Sequence, residues 1–375
     1  MSSLTRWILD LKAAVENGDR PYFPVRRLLV PGLEPLHGDG FMRFQRIGPV
    51  YRPGMPPESM SVVQWCAAGQ PGDHLKDSEL GASIGTVLSL LLDRRIEVLE
   101  EVPLSMEGAQ QTTFVGFNNV FDRRLSSPFE AAGLDARIRD LLSQLVSLAE
   151  DDQATLTAAM DLHYGATLLF EKDLAAAYTL IVAGLEVMSR QYGEPPTNWE
   201  AWEQARSWDK FARAQGLSDV QAEALRAKLM KSQYLRLKET FVNYVAESLE
   251  DGFWEQEWRE WIYDVRMPEG VYGEGGSWAV EKHIRDFVTQ DRGELCGGLR
   301  KTYDARSGFV HSGSRAISTA NEIYGLVRHA SADRPLPYSV LRSMLAELIK
   351  QEVRDRATGF ELPEIVMSND PPPAA

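Results

Sequence analysis

Cysteine is nearly absent from this chain of 375 residues: Cys66 and Cys296 are its only two. That scarcity excludes a disulfide framework and any cysteine-based zinc cluster, and it fits a reducing, cytoplasmic setting. Histidine is scarce as well, six in all, with no HExxH and no paired ligand spacing, so neither a metal nor another cofactor is expected. Long apolar runs are missing. The uncharged stretch Leu174–Leu185 holds only 12 residues, whereas crossing a bilayer takes about 20. The first segment, MSSLTRWILDLKAAVENGD, is too short in its apolar run to read as a signal peptide. There is no P-loop, no Gly-x-Ser-x-Gly elbow and no GxGxxG; Gly273-Glu274-Gly275-Gly276 reads as a loop. Positive charge is in short supply too. The net charge of −14 opposes a broad DNA-binding surface, because phosphates are repelled at long range.

What is present divides by texture. Residues 1–130 mix a short helix (Leu4–Asn17), proline- and glycine-rich turns, and short apolar runs at Arg26–Val30, Phe41–Ile47, Ser61–Ala67, Arg95–Glu101 and Thr112–Phe117. Asp77 reads as the N-cap of a helix reaching Leu92. An α/β or β-rich domain is expected there. From residue 131 to 360 the pattern is nearly continuous helix: Leu134–Ala149, Gln153–Phe170, Asp173–Tyr192, Ser218–Glu250 as one long or two kinked helices, Trp278–Val288, Glu294–Val310 and Tyr338–Ala357. The fold class expected is therefore α+β, with an all-helical second domain and a disordered tail over 361–375.

Charge also has local structure. From Leu299 to Arg342 seven Lys and Arg face three acids, enough for a small phosphate site. Within that span Arg306 and His311 stand five positions apart near a helix end, followed by Ser312-Gly313. A fixed guanidinium and a group that exchanges protons near neutral pH are what metal-free RNA cleavage requires. On a straight helix five residues rotate by roughly 500°, which leaves the side chains about 140° apart with a rise of about 7.5 Å. Two arrangements could unite them at one phosphate: a helix loosened at Gly308, or the same segment of a second chain facing it. On spacing alone the pair reads more simply as structural, Arg306 pairing Asp304 or another acid and His311 capping carbonyls.

The run Tyr303-Asp304-Ala305-Arg306-Ser307-Gly308-Phe309-Val310-His311-Ser312-Gly313 resembles the signature helix of the HEPN superfamily, in particular the Apea-like branch with Tyr-x-x-Arg-Ser-x-x-Val-His-x-Gly. The segment Ala177–Arg190, with its Leu185-Glu186 pair, is similar to the family's first conserved helix. The resemblance covers roughly residues 150–350. It implies a helical bundle, commonly a homodimer, and a metal-independent endoribonuclease acting on RNA as a toxin or antiphage defence effector. Arg306 and His311 would then be catalytic, with Tyr303, Ser307 and Glu186 supporting. The alternative, from a different class, is a non-catalytic HEPN-like module that binds a partner protein or nucleotide.

Two other features have competing readings. Glu186 lies among Ile181, Val182, Leu185, Val187 and Met188, so it either faces solvent or is buried with an arginine mate such as Arg306. Trp254, Trp258 and Trp261 fall at i, i+4 and i+7, one stripe of a helix. Core or dimer contact suits that stripe better than base stacking, since Glu255, Glu257 and Glu260 repel phosphates.

Overall fold

The computed structural model describes residues 2–19, 21, 27–31, 40–52, 55–68, 78–92, 96–99, 133–170, 173–232, 236–258, 282–286, 288, 291–313 and 334–365. Helix is the dominant state among them. The expected boundary near residue 130, the Thr112–Phe117 run and the last ten residues of the tail lie outside this set. No helix of the described residues is long and apolar enough to cross a membrane. Two compact units are distinguished: Met1–Ala177 with Trp258–Lys282 and Ile349–Ala375, and Tyr178–Glu257 with His283–Leu348.

In the first unit, α1 (Ser3–Glu16) starts where the Ser2 hydroxyl accepts from the Thr5 N–H, and it buries Leu4, Trp7, Ile8 and Leu11 along one stripe. The Trp7 indole N–H donates to the Cys66 carbonyl at 2.8 Å, and its ring meets Phe41 edge-on. Strands β1 (Arg27–Pro31), β2 (Met42–Arg52), β3 (Met55–Trp65) and β4 (Glu97–Leu99) form one antiparallel sheet in the order β2-β3-β1-β4. Helix α2 (Ser78–Leu92) is buried almost all round, as its Ile84, Val87, Leu88 and Leu90 require. It packs against α4 (Glu150–Leu169), where Gly85 matters: a Cβ there would lie 2.9 Å from the Tyr164 hydroxyl. That hydroxyl donates to the Ile96 carbonyl at 2.8 Å. Helix α3 (Leu134–Ser147) holds the chain end against itself, since the Phe360 and Gly359 N–H groups donate to the hydroxyls of Ser143 and Ser147.

Helix α5 (Leu174–Tyr192) supplies the second unit with Tyr178, Ile181, Val182, Leu185 and Met188, all buried. A short helical hairpin follows, from a 3₁₀ turn at Trp199–Ala201 through α6 (Ala205–Ala214) to α7 (Asp219–Lys231). Ser218 caps α7 in a reciprocal capping box with Gln221. The stretch read as one or two helices from 218 to 250 is thus two, α7 and α8 (Leu237–Ser248). The four-residue α9 (Asp251–Trp254) is followed by a ribbon of β5 (Glu257–Trp258) and β6 (Lys282–His283). The helical tryptophan stripe therefore does not form: Trp254 ends a helix, Trp258 lies in a strand, and Trp261 is outside the described residues. The helix expected over Trp278–Val288 is also corrected, since Lys282–His283 is strand and Ile284–Asp286 a 3₁₀ turn. There the Asp286 carboxylate accepts the His283 N–H at 2.7 Å, a local bond that competes with helix.

The long helix α10 (Arg292–Ser312) packs on α8. It begins where Asp291 accepts the Glu294 N–H at 2.9 Å, and it ends at Gly313 in the left-handed region (φ 65°), whose N–H reaches back to the Gly308 and Phe309 carbonyls. Thr302, on its buried face, accepts from the Leu336 N–H at 2.9 Å and lies 3.2 Å from the Tyr178 hydroxyl. Tyr178 in turn donates to the Leu336 carbonyl at 3.0 Å. The final helix, α11 (Tyr338–Arg356), contributes Tyr338, Val340, Leu341, Met344 and Leu345 to the core of this unit.

Candidate functional site

The sequence-derived residues fall into two places on α10. Arg306 is turned inward, its side chain only 22% exposed, with one terminal nitrogen 3.0 Å from the Glu186 carboxylate on α5. Glu186 itself is 7% exposed, so its solvent-facing reading is overturned and the arginine-mate reading holds. Helix α5 buries nearly its whole circumference around this point, which is why polarity alone did not locate the residue. Arg190, one turn further along α5, approaches the same carboxylate at 4.0 Å from a mostly exposed position.

Tyr303, one turn before Arg306, is half-buried, hydrogen-bonds Glu186 and tilts against Phe241 of α8 at 5.6 Å. Burial pushes the Glu186 carboxyl above the usual carboxylate range; Arg306, Arg190 and the Tyr303 hydroxyl pull it down without cancelling that effect. Burial likewise raises the Tyr303 phenol, and the adjacent carboxylate adds to the rise. Satisfaction is incomplete, because neither Glu186 Oε1 nor Arg306 Nε finds a hydrogen-bond partner among the described residues. A buried carboxylate with a free acceptor and a guanidinium with a free N–H are electrostatically poised rather than saturated.

His311 stands apart. It is exposed on the last turn of α10, and no hydrogen bond joins it to another described residue. The carbonyls it was expected to cap are taken by the Gly313 N–H and by the Ser312 hydroxyl, which donates to Gly308 at 2.6 Å. The helix runs unbroken through Gly308, so loosening at that residue does not bring the pair together. Regular geometry keeps them about 140° apart. Ser307 is half-buried and makes no side-chain hydrogen bond among the described residues.

Asp304 is not the partner of Arg306. It pairs with Lys238 of α8 at 2.9 Å, and Lys238 also holds Glu203, at the head of the hairpin, at 3.1 Å. Burial works against the Lys238 charge, but the two acids outweigh it and the net shift is upward. The Glu203 N–H donates to the buried Glu239 carboxylate at 3.3 Å, and burial raises that carboxyl too. This bridge was invisible in the sequence, because its members are distant in the chain and no local spacing marks them. Arg190 could have been found, being four residues beyond Glu186 on a helix. Among the described residues no group of His, Cys, Asp and Glu could hold a metal ion.

The second unit thus assembles a buried carboxylate, an oriented guanidinium and a phenol on one side of α10, and an exposed imidazole further along. Such a set holds one guanidinium against a buried carboxylate and leaves one imidazole open to solvent. Compared with known proteins, the chain matches no family model, no curated sequence and no solved structure.

Proposed function

We propose that the protein is a metal-independent endoribonuclease of the HEPN type, working in the cytoplasm as a homodimer and as a toxin or antiphage effector. The substrate 2′-hydroxyl attacks the adjacent phosphorus; an O2′–P bond forms and the P–O5′ bond breaks. One proton leaves the 2′-oxygen and one is delivered to the departing 5′-oxygen. His311 serves one of these transfers, a role worth ~10²–10⁴ in rate. Arg306 steadies the charge on the pentacoordinate phosphorus, as a preorganised cation does. Glu186 and Tyr303 are positioning residues for that guanidinium, and Ser307 lies beside it in sequence. An α/β or β-rich N-terminal domain, which would recognise a trigger or restrain the nuclease, belongs to the same proposal.

One observation carries the reading. A guanidinium is fixed by a nearly buried carboxylate 3.0 Å away, while five residues later on the same helix an imidazole is open to solvent. The second reading, a non-catalytic module for a protein or nucleotide partner, is favoured by a different aspect of that geometry: Arg306 is already engaged and lies on another face from His311. RNA cleavage in EDTA by wild type, Arg306→Ala and His311→Ala separates the two. Cleavage by wild type alone, with growth arrest on expression relieved by His311→Ala, supports the nuclease. Three folded proteins that are equally inert in the tube and equally harmless in cells would leave the binding module.

A further inference from the structure

A buried guanidinium needs a compensating acceptor, because arginine cannot shed its proton when it leaves water. For Arg306 that acceptor is Glu186. Arg236, at the start of α8, has no such carboxylate. It is only 7% exposed, its Nη1 donates to the Pro196 carbonyl, and no acid among the described residues forms an ion pair with it. Among those residues Nε finds no partner and Nη2 makes no hydrogen bond.

The residue is held on both sides. The Thr240 hydroxyl donates to the Arg236 carbonyl at 3.0 Å. The turn after α5 is pressed onto α8, since a Cβ on Gly193 would lie 3.1 Å from Thr240 Cγ2 and 3.1 Å from Tyr244 Cβ. Pro196 presents its carbonyl from that turn. The acids closest in the chain are committed elsewhere: Glu239 accepts the Glu203 N–H at 3.3 Å, and the Glu203 carboxylate holds Lys238 at 3.1 Å. Burial raises the Glu239 carboxyl, so water is scarce around the first turn of α8. Arg236 is also the N-cap of this 12-residue helix and offers it no side-chain acceptor. Glu239 supplies one negative group to that turn, yet the helix start and the guanidinium both still favour an anion.

With Nη1 taken by Pro196, the Nε–Nη2 edge is the part of the guanidinium that remains. That edge carries two parallel N–H groups, the fork that fits two oxygens of one phosphate or carboxylate. We propose that Arg236 anchors a small-oxyanion site between the turn Gly193–Pro196 and the start of α8, taking one phosphate or carboxylate group of a ligand in bidentate contact. The Pro196 carbonyl sets the rotation of the guanidinium plane and leaves the fork to the anion. This site involves neither Arg306 nor His311 and needs no strand scission, so it stands or falls apart from the nuclease reading.

The test is thermal melting of the full-length protein in sodium phosphate, in sodium acetate and in sodium chloride of matched ionic strength, with phosphorus NMR line widths reporting bound phosphate. The proteins are wild type, Arg236→Gln, Arg236→Met, Arg236→Lys and a control, Arg206→Gln, on an exposed arginine of α6. For a millimolar site, about 20 mM of the accepted anion should raise wild type by at least about 3 °C over chloride. Arg206→Gln should keep that shift, and Arg236→Gln and Arg236→Met should lose it. Arg236→Lys should keep less than about half, since a lone ammonium lacks the fork. In chloride, Arg236→Met should melt no lower than wild type, because it removes a buried charge that no acid offsets. Phosphate acting alone assigns a phosphoryl group, acetate acting alone a carboxylate, and both acting together the chemistry they share. Equal melting of wild type in all three salts overturns the proposal. A shift retained in Arg236→Gln and Arg236→Met does so too, showing an adventitious ion only. A melting loss in Arg236→Met that is the same in every salt also overturns it, leaving a structural arginine. The wild-type comparison among salts decides by itself if a variant fails to fold.

Discussion

Removing Arg306 should damage the fold more than removing its partner, and the difference should grow with pH. Two unit charges about 4 Å apart attract by about 4 kcal/mol at an effective dielectric near 20, while burying each ion costs several kcal/mol. Intact, the pair comes close to balance. Arg306→Met keeps most of the apolar volume but leaves a 7% exposed carboxylate with only Arg190 at 4.0 Å and Tyr303 beside it. A loss of about 3 kcal/mol at neutral pH follows, or about 6–12 °C in melting temperature at 2–4 °C per kcal/mol. Glu186→Met leaves a guanidinium that is 22% exposed and able to rotate into water, so about 1–2 kcal/mol is expected. The double variant should recover to within about 1 kcal/mol of wild type.

The pH dependence has a definite sign. Glu186 is raised in the folded state, so its contribution is fully present below the unfolded value and is lost as pH rises through the folded one. Taking away Arg306 removes a downward pull on that carboxyl and extends the loss to higher pH. Denaturant unfolding of the four proteins at pH 5 and pH 8 measures this directly. A deficit in Arg306→Met below 0.5 kcal/mol, or one that shrinks as pH rises, would refute the buried-pair reasoning.

Other expectations are simpler to check. Tyr178→Phe deletes a buried hydroxyl that donates to Leu336 and meets Thr302, and should cost about 1–2 kcal/mol by denaturant unfolding. Gly298→Ala places a Cβ 2.8 Å from Leu336 Cδ2; that methyl end can turn aside, and Ala favours the helix by about 1 kcal/mol over Gly, so thermal melting should stay within about 4 °C of wild type. Ser218→Ala breaks the capping box of α7 and should cost about 1 kcal/mol locally, seen as faster amide exchange over the first turn of that helix. His311→Ala, on an exposed side chain, should leave stability within about 0.5 kcal/mol of wild type whatever it does to RNA.

Much of the helical architecture was legible because its boundaries carry local chemistry. Helix α10 was expected over Glu294–Val310 and spans Arg292–Ser312; the Asp291 cap and the left-handed Gly313 account for both ends. Ser218 and Gln221 mark α7 in the same way. The tryptophan stripe misled because i, i+4, i+7 spacing says nothing about partners. Trp258 pairs with a strand that arrives more than 20 residues later, and Glu255 is drawn into an ion pair with Arg285. For the site, the arginine mate of Glu186 was foreseeable and its depth was not, since burial around the whole of α5 depends on neighbours the sequence does not name. The Lys238 bridge had no signature at all.

The continuity of α10 bears on reaction order. A rod of fixed pitch between residues 306 and 311 prevents one chain from folding both groups onto a shared point by local bending. Should strand scission require both, the competent species contains two molecules. Specific activity should then fall with dilution, tracking the monomer–dimer equilibrium, and an equimolar mixture of Arg306→Ala and His311→Ala chains should recover part of the rate that each lacks alone.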